Sequence, residues 1–251
     1  SSFKVEYKEL RDSANVLLSW SSYSVDKTPI PTSVFYYGEH ITGSPRVLSV
    51  EPSATDYPHT TATGAGLTSA IAGVKASFII QARDASGNDK VIGGDEFSVV
   101  MEGPTKISAE PEYIGAGQYL VEYVPTLKGD YFLSVETAGL GGTHIYCGLG
   151  AENKCSPFSL VVEPGYASYT TSNAEGVGLT HAVAGETAYF SIQAIDVYGN
   201  LLEEGGDAFD VEVVFGDLTY YGDVLDNNDG TYSVSYTALV AATYDVHVLY
   251  G

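Results

Sequence analysis

Basic residues are scarce in this chain: 11 Lys and Arg stand against 32 Asp and Glu, a formal net charge of −21. With no cluster of cations to release counterions from a phosphate backbone, nucleic acid is excluded as a partner. No stretch approaches the roughly 20 consecutive apolar residues of a membrane helix, so membrane insertion is not expected. Cysteine is limited to Cys147 and Cys155, eight positions apart. That spacing lacks a CxxC and no His/Cys group accompanies it, which favours a local disulfide across a hairpin over a redox or metal pair. A disulfide would place the protein outside the reducing cytosol, extracellular or at the cell surface. The opening "SSFKVEYKEL" has no signal-peptide character, so any such segment has been removed or lies upstream. Recognisable catalytic motifs are missing as well: His40, His59, His144, His181 and His247 belong to no HExxH, and there is no GxSxG. Paired acids occur in "GGDEF" and "LLEEGGD", but turn acids at strand ends do not frame a sugar-sized cleft. The reading is not an enzyme.

Tyrosine, by contrast, is abundant, with 20 residues against one Trp and one Met. With many Val and Thr, this mix suits pleated, half-buried surfaces better than helices. The 28 Gly and 10 Pro supply the punctuation that many short strands need. No window has convincing helical periodicity. Above all, the chain repeats itself. "GAGLTSAIAGVKASFIIQARDASGNDKVIGGDEFSV" from Gly64 returns as "GVGLTHAVAGETAYFSIQAIDVYGNLLEEGGDAFDV" from Gly176, an offset of 176 − 64 = 112. The offset pairs Phe78 with Phe190, Asp84 with Asp196 and Asn88 with Asn200. It slips by one further on, where Tyr131, Leu133 and Val135 match Tyr244, Val246 and Val248. Period-2 alternation puts Ala76, Phe78, Ile80 and Ala82 on one strand face, with Tyr119, Val121 and Tyr123 doing the same in the next run. "DASGN", "DVYGN" and "DNNDG" supply turns that accept positive φ. Strands at this spacing, without helices between them, predict an all-β sandwich.

The ordered motifs "AGVKASFIIQARDASGN", "GQYLVEYVPTLKGDYFLSV" and "SPFSLVVEPG" resemble the successive signatures of a filamin-type immunoglobulin-like repeat. "AGETAYFSIQAIDVYGN" with "DNNDGTYSVSYTALVAATYDVHV" is similar. The resemblance covers residues from about 60 to 251 and implies tandem sandwiches of roughly a hundred residues each, used as spacers and protein-binding modules. Before it, "FKVEYKELRDSANVLLSWSS" and "TPIPTSVFYY" resemble the closing strands of the carbohydrate-binding domain named after anthrax protective antigen. Its sugar- and calcium-binding loops would lie upstream, so no lectin residue is assigned here. The expected organisation is therefore 1–37, a β segment; 38–59, a strand and linker; 60–165, a first filamin-type repeat; and 166–251, a second.

The phrase "HITGSPRVLSVEP", residues 40–52, falls outside that order. Adding 112 carries Ser44-Pro45 onto Ser156-Pro157 and Pro52 onto Pro164, inside "KCSPFSLVVEP". Residues 40–52 thus read as another copy of the last, or G, strand of a repeat. The second repeat stops short of that strand. A sandwich lacking an edge strand is a template for strand addition, which predicts head-to-tail self-association into a filament. Ile41, Val47, Leu48 and Val50 are the expected donor side chains, with register deciding which of them point inward. Tyr244, Val246 and Val248 are expected to line the acceptor. Alternatives are that the segment is a linker and that the missing strand follows Gly251. The chain is then a spacer or adhesion ectodomain fragment of a larger cell-surface recognition protein.

Two features remain. Asp223, Asp226, Asn228 and Asp229 in "DVLDNNDGTY" form an acidic turn; the alternative is a weak calcium site, although EF-hand spacing is absent. "SATDYPHTTATG" and "YASYTTSNAEG" read as solvated linkers or as carriers of O-linked glycans. No other cofactor is expected.

Overall fold

The computed structural model describes residues 2–10, 13–22, 25–29, 42–137, 143–145 and 156–251. They fall into two compact units, Ser1–Val50 and Glu51–Gly251. In the first, β1 (Ser2–Leu10), β2 (Ser13–Ser22) and β3 (Val25–Pro29) form an antiparallel meander. Residues 42–50 follow without regular pairing.

The second unit contains two sandwiches. In the first sandwich, one sheet has the order β4 (Thr61–Thr63), β6 (Ala76–Gln81), β10 (Gln118–Tyr123), β9 (Glu112–Gly115). The other runs β5 (Ser69–Ile71), β13 (Phe158–Glu163), β11 (Gly129–Thr137), β7 (Phe97–Glu102), β8 (Lys106–Ala109), with β12 (Thr143–His144) also paired to β11. All neighbours are antiparallel except β5 and β13. The expected alternation is realised. Phe78, Ile80, Tyr119, Val121 and Tyr123 meet Tyr131, Leu133 and Val135 in one buried cluster. β6, β7, β10, β11 and β13 thus each give one face to the core, which is what stabilises segments too short to persist alone.

The second sandwich repeats this plan. One sheet has the order β14 (Asn173–Glu175), β15 (Thr187–Gln193), β19 (Thr231–Thr237), β18 (Asp223–Asp226). The other is shorter: β17 (Leu218–Tyr221), β16 (Phe209–Phe215), β20 (Asp245–Tyr250). Phe190, Ile192, Val211, Val213, Tyr232 and Val234 are its core. Glycine is required where a strand meets a turn: Gly117 and Gly230 have φ of +69° and +78°. A Cβ on either would lie 2.3 or 2.1 Å from the carbonyl oxygen of Lys90 or Leu202, which no larger residue tolerates.

Candidate functional site

The two sandwiches differ along one sheet, where the second has no counterparts of β5, β12 and β13 among the described residues, and the place of β13 is the candidate site. In the first, β13 is held on both sides. It pairs with β11 through Leu133↔Phe158 and Tyr131↔Leu160, and with β5 through Val161↔Ser69 and Val162↔Ala70. Phe158, Leu160 and Val162 point inward and are buried, as are Ala70 and Ala72 on the β5 side. Phe158, Leu160 and Val162 therefore complete the core, while the main chain of β13 satisfies two strand edges at once.

In the second sandwich no strand among the described residues occupies that position. Among the described residues β20 pairs only with β16. Residues 181–183, the counterpart of β5, form no strand, because β5 is a strand only through its pairing with β13. Ala182 and Ala184, equivalent to the buried Ala70 and Ala72, are exposed. Between the two open edges lies a groove of about 340 Å³. Leu179, Ala182 and Ala184 form one wall, Tyr244 and Val246 the other, with Tyr236 among the remaining lining residues. The Tyr236 hydroxyl donates to the Gly178 carbonyl as Tyr123 does to Gly66, so the groove keeps the geometry of the filled site. Burial, then the neighbouring Tyr220, holds the Tyr244 phenol above its ordinary range. Of the three expected acceptor residues, Tyr244 and Val246 line this groove; Val248 lines a smaller hollow beside Phe209 and Tyr250.

Val47, Leu48 and Val50 are 102, 82 and 83 % exposed; Ile41 lies outside the described residues. Under the 112-residue offset Leu48 and Val50 align with the inward Leu160 and Val162 of β13, Arg46 with Phe158, and Val47 with the outward Ser159. By this alignment Val47 corresponds to an outward position and Leu48 and Val50 to inward ones.

A second geometry joins the sandwiches. The Asp196 carboxylate accepts from the main-chain N–H groups of Tyr198 and Asn200, both at 2.9 Å, and of Gly165 at 2.8 Å. Burial, which raises the Asp196 pKa, is outweighed by these bonds and one from the Asn200 side chain, so it is lowered. The Asn200 side chain then reaches the first sandwich. Its amide nitrogen donates to the Thr126 carbonyl at 2.8 Å, and its oxygen accepts from the Lys128 N–H at 2.9 Å. The Lys128 ammonium pairs with Glu203 at 2.6 Å and donates to the Leu201 carbonyl at 2.8 Å. Asp84 does for Ser53, Ser86 and Asn88 what Asp196 does for Gly165, Tyr198 and Asn200. The Asn88 side-chain bond, reinforced by the N–H bonds, brings the Asp84 carboxyl down to about 2. Sequence reasoning aligned Asp84 with Asp196 and Asn88 with Asn200 but missed this use of them.

The remaining sequence candidates have local roles. Asp226 accepts from Asn228 and Gly206, and Asp229 from Thr231, which makes the acidic stretch a hydrogen-bonded turn leading into β19. Asp223 opens β18. His144 lies 2.9 Å (Nδ1) from the Ser156 hydroxyl oxygen and 3.7 Å (Nε2) from Glu136. That pairing was not visible in the sequence. Ser156 is buried and its oxygen accepts from Val135 N–H at 2.8 Å, so it fastens the start of β13 to β11. Cys147 and Cys155 lie outside the described residues.

Comparison with known proteins agrees with this architecture. Residues 54–146 and 167–251 match the Filamin/ABP280 repeat. Rat Filamin-C is 28 % identical over 232 residues, covering 90 % of this chain but 7 % of its own length. Mouse E3 ubiquitin-protein ligase TRIM71 is 39 % identical over 124 residues, 49 % of this chain and 12 % of its own. The chain thus spans a small part of these relatives. Among solved structures, the Escherichia coli adhesin FdeC superposes with a TM-score of 0.56 at 18 % identity, over 80 % of this chain and 62 % of its own; this shows a shared fold. With two matched repeats on two sandwiches of one plan, the chain belongs to the Filamin/ABP280 repeat family.

Proposed function

We propose that this chain is an extracellular structural protein that polymerises head to tail, residues 44–52 of one copy completing the second sandwich of the next. One observation carries the reading: the slot that β13 fills in the first sandwich is open in the second, while a sequence of the β13 type stands exposed elsewhere in the same chain. Transposed register places Leu48 opposite Tyr244 and Arg46 opposite Val246, as Leu160 and Phe158 lie opposite Tyr131 and Leu133. Ser44 takes the position of Ser156 and accepts from the Val248 N–H. Arg46, in the place of Phe158, packs its aliphatic stem and carries its charge toward solvent.

Burying Leu48 and Val50 supplies roughly 1.5–3 kcal/mol each, and the added main-chain bonds roughly 1 kcal/mol each. These gains oppose the cost of ordering a short segment, about 1–2 kcal/mol per residue. Strand addition to a preformed slot is therefore favourable only if both edges pair. Donor and acceptor are different surfaces, so the contact is heterologous and propagates into a filament unless it closes into a ring. Weak calcium at acidic turns and O-linked glycans are compatible additions that the mechanism does not use.

A second reading is a spacer within an adhesion-type ectodomain; the fold shared with the adhesin FdeC favours it. Residues 1–37, with their likeness to the end of a protective-antigen-type domain, would then follow a sugar-binding head. A synthetic peptide of residues 42–53 separates the two. Under strand donation it binds the slot one to one and caps assembly into short species. Absence of binding would leave the spacer reading.

A further inference from the structure

We propose that the contact between copies includes a second, apolar joint, in which Leu239, Val240 and Ala241 of one copy seat on Val91 and Ile92 of the next. The proposal rests on the strand-donation reading and adds a partner surface to it. Its template is the joint inside the chain. There the loop at Thr126–Lys128 of the first sandwich docks on the turn from Asp196 to Glu203 of the second. Each half of that joint has an unused equivalent. The loop equivalent to 126–128 is 239–241, and the Tyr244 hydroxyl donates to the Val240 carbonyl at 2.8 Å as Tyr131 does to Leu127 at 2.9 Å, so the two loops share one shape. The turn equivalent to 196–203 is 84–91, held by Asp84 as its partner is held by Asp196.

The stem that would bring them together is already set. The Ser53 N–H donates to Asp84 Oδ2 at 3.0 Å where the Gly165 N–H donates to Asp196 Oδ2 at 2.8 Å. Thr55 bridges to Asp84 as Ala167 does to Asp196. A strand leading into Ser53 therefore meets the first sandwich on the path by which β13 meets the second. Seating residues 44–52 in a neighbour's slot carries that neighbour's 239–241 loop to the Asp84 turn.

The side chains at both outer half-joints differ in kind from those of the internal joint. Lys128 corresponds to Ala241 and Glu203 to Val91. Where the internal joint has an ion pair at 2.6 Å, both outer positions are apolar. Thr126 corresponds to Leu239, which is 68 % exposed, and Glu204 to Ile92, 64 % exposed; Val240 and Val91 are 48 and 58 % exposed. A lone charge in either half would be desolvated against an aliphatic neighbour without a partner. Matched apolar halves avoid that, and they let copies of a strongly acidic chain meet without adding to its charge repulsion. Asn88, exposed in the free chain, is the counterpart of Asn200 and closes the joint by bonding the main chain of residues 239 and 241.

The test measures the critical concentration for assembly of the full chain by sedimentation. Val91→Glu alone and Ala241→Lys alone each raise it about tenfold or more through an unpaired charge at the contact. The double variant, which recreates the internal Lys128–Glu203 pair, returns it to within about threefold of the parent chain. Both positions are exposed, and thermal melts check that each variant is folded. If Val91→Glu changes nothing while Val50→Asp abolishes assembly, strand donation stands and the apolar joint falls. Single losses without rescue by the double variant also overturn the joint, because residues 91 and 241 are then not opposite each other. If the parent chain does not assemble, both proposals fall.

Discussion

Val162 lies beside Ala70 in the parallel pair of β13 and β5, and both side chains are buried. Ala182, the equivalent of Ala70, is exposed and has no such neighbour. The same small residue is thus core in one sandwich and surface in its repeat, and the difference is one strand.

The first prediction concerns register. Leu48→Asp or Val50→Asp places a carboxylate at the buried positions of Leu160 or Val162 and abolishes assembly. Each change forfeits roughly 1.5–3 kcal/mol of burial, and the buried charge adds to that loss. Val47→Asp, at the outward position of Ser159, leaves assembly within about threefold of the parent. Sedimentation of the three variants decides it, and equal loss in all three contradicts the transposed register.

Filling the slot should also stabilise the sandwich that owns it. At a hundredfold excess over its dissociation constant, a peptide of residues 42–53 contributes about 2.7 kcal/mol. For a domain of this size, 1 kcal/mol moves the midpoint by about 4–8 °C. Differential scanning calorimetry should show the second sandwich melting well above its unliganded midpoint, and the first unchanged.

Asn200→Ala removes both bonds that tie Asn200 to the first sandwich and leaves the Thr126 carbonyl and the Lys128 N–H without that partner. The expected cost is about 1–3 kcal/mol, read as earlier urea unfolding of the second sandwich. Nitrogen relaxation should show the sandwiches tumbling more independently.

Acid weakens the turns. The Asp84 carboxyl titrates at about 2 in the folded chain against an ordinary 3.8, and Asp196 is lowered too. A depressed carboxylate stabilises the fold above its unfolded pKa. That contribution is lost as pH falls from about 4 toward about 2. Replacing Asn88 by Ala removes the largest cause of the Asp84 shift and should flatten the stability profile of the first sandwich in that window. Urea midpoints measured across it would show this directly.

Much of this was legible in the sequence, for physical reasons. Period-2 alternation names buried faces, so Phe78, Ile80, Tyr131 and Leu133 were readable as core. The 112-residue offset marked residues 40–52 as similar in sequence to β13, because a repeat lets each segment be compared with its counterpart. What was not legible depends on pairing across the chain. The alternation of residues 47–50 defines two faces without saying which is inward; only alignment with β13, whose pairing to β11 is seen, matches Val47 to the outward Ser159. The Asn200–Thr126 bond spans 74 positions, and nothing in "DVYGN" distinguishes an amide that crosses to another sandwich from one that closes its own turn. Ser156 and His144 meet through the pairing of β12 and β13 with β11, which neither local stretch encodes.

The most direct test of strand donation is electron microscopy of the intact chain beside the same chain lacking residues 1–52. Filaments from the intact protein that shorten when the 42–53 peptide is added, and that are absent from the deletion variant with or without the peptide, are the predicted result. Filaments that persist without residues 1–52, or single particles in both samples, would contradict it.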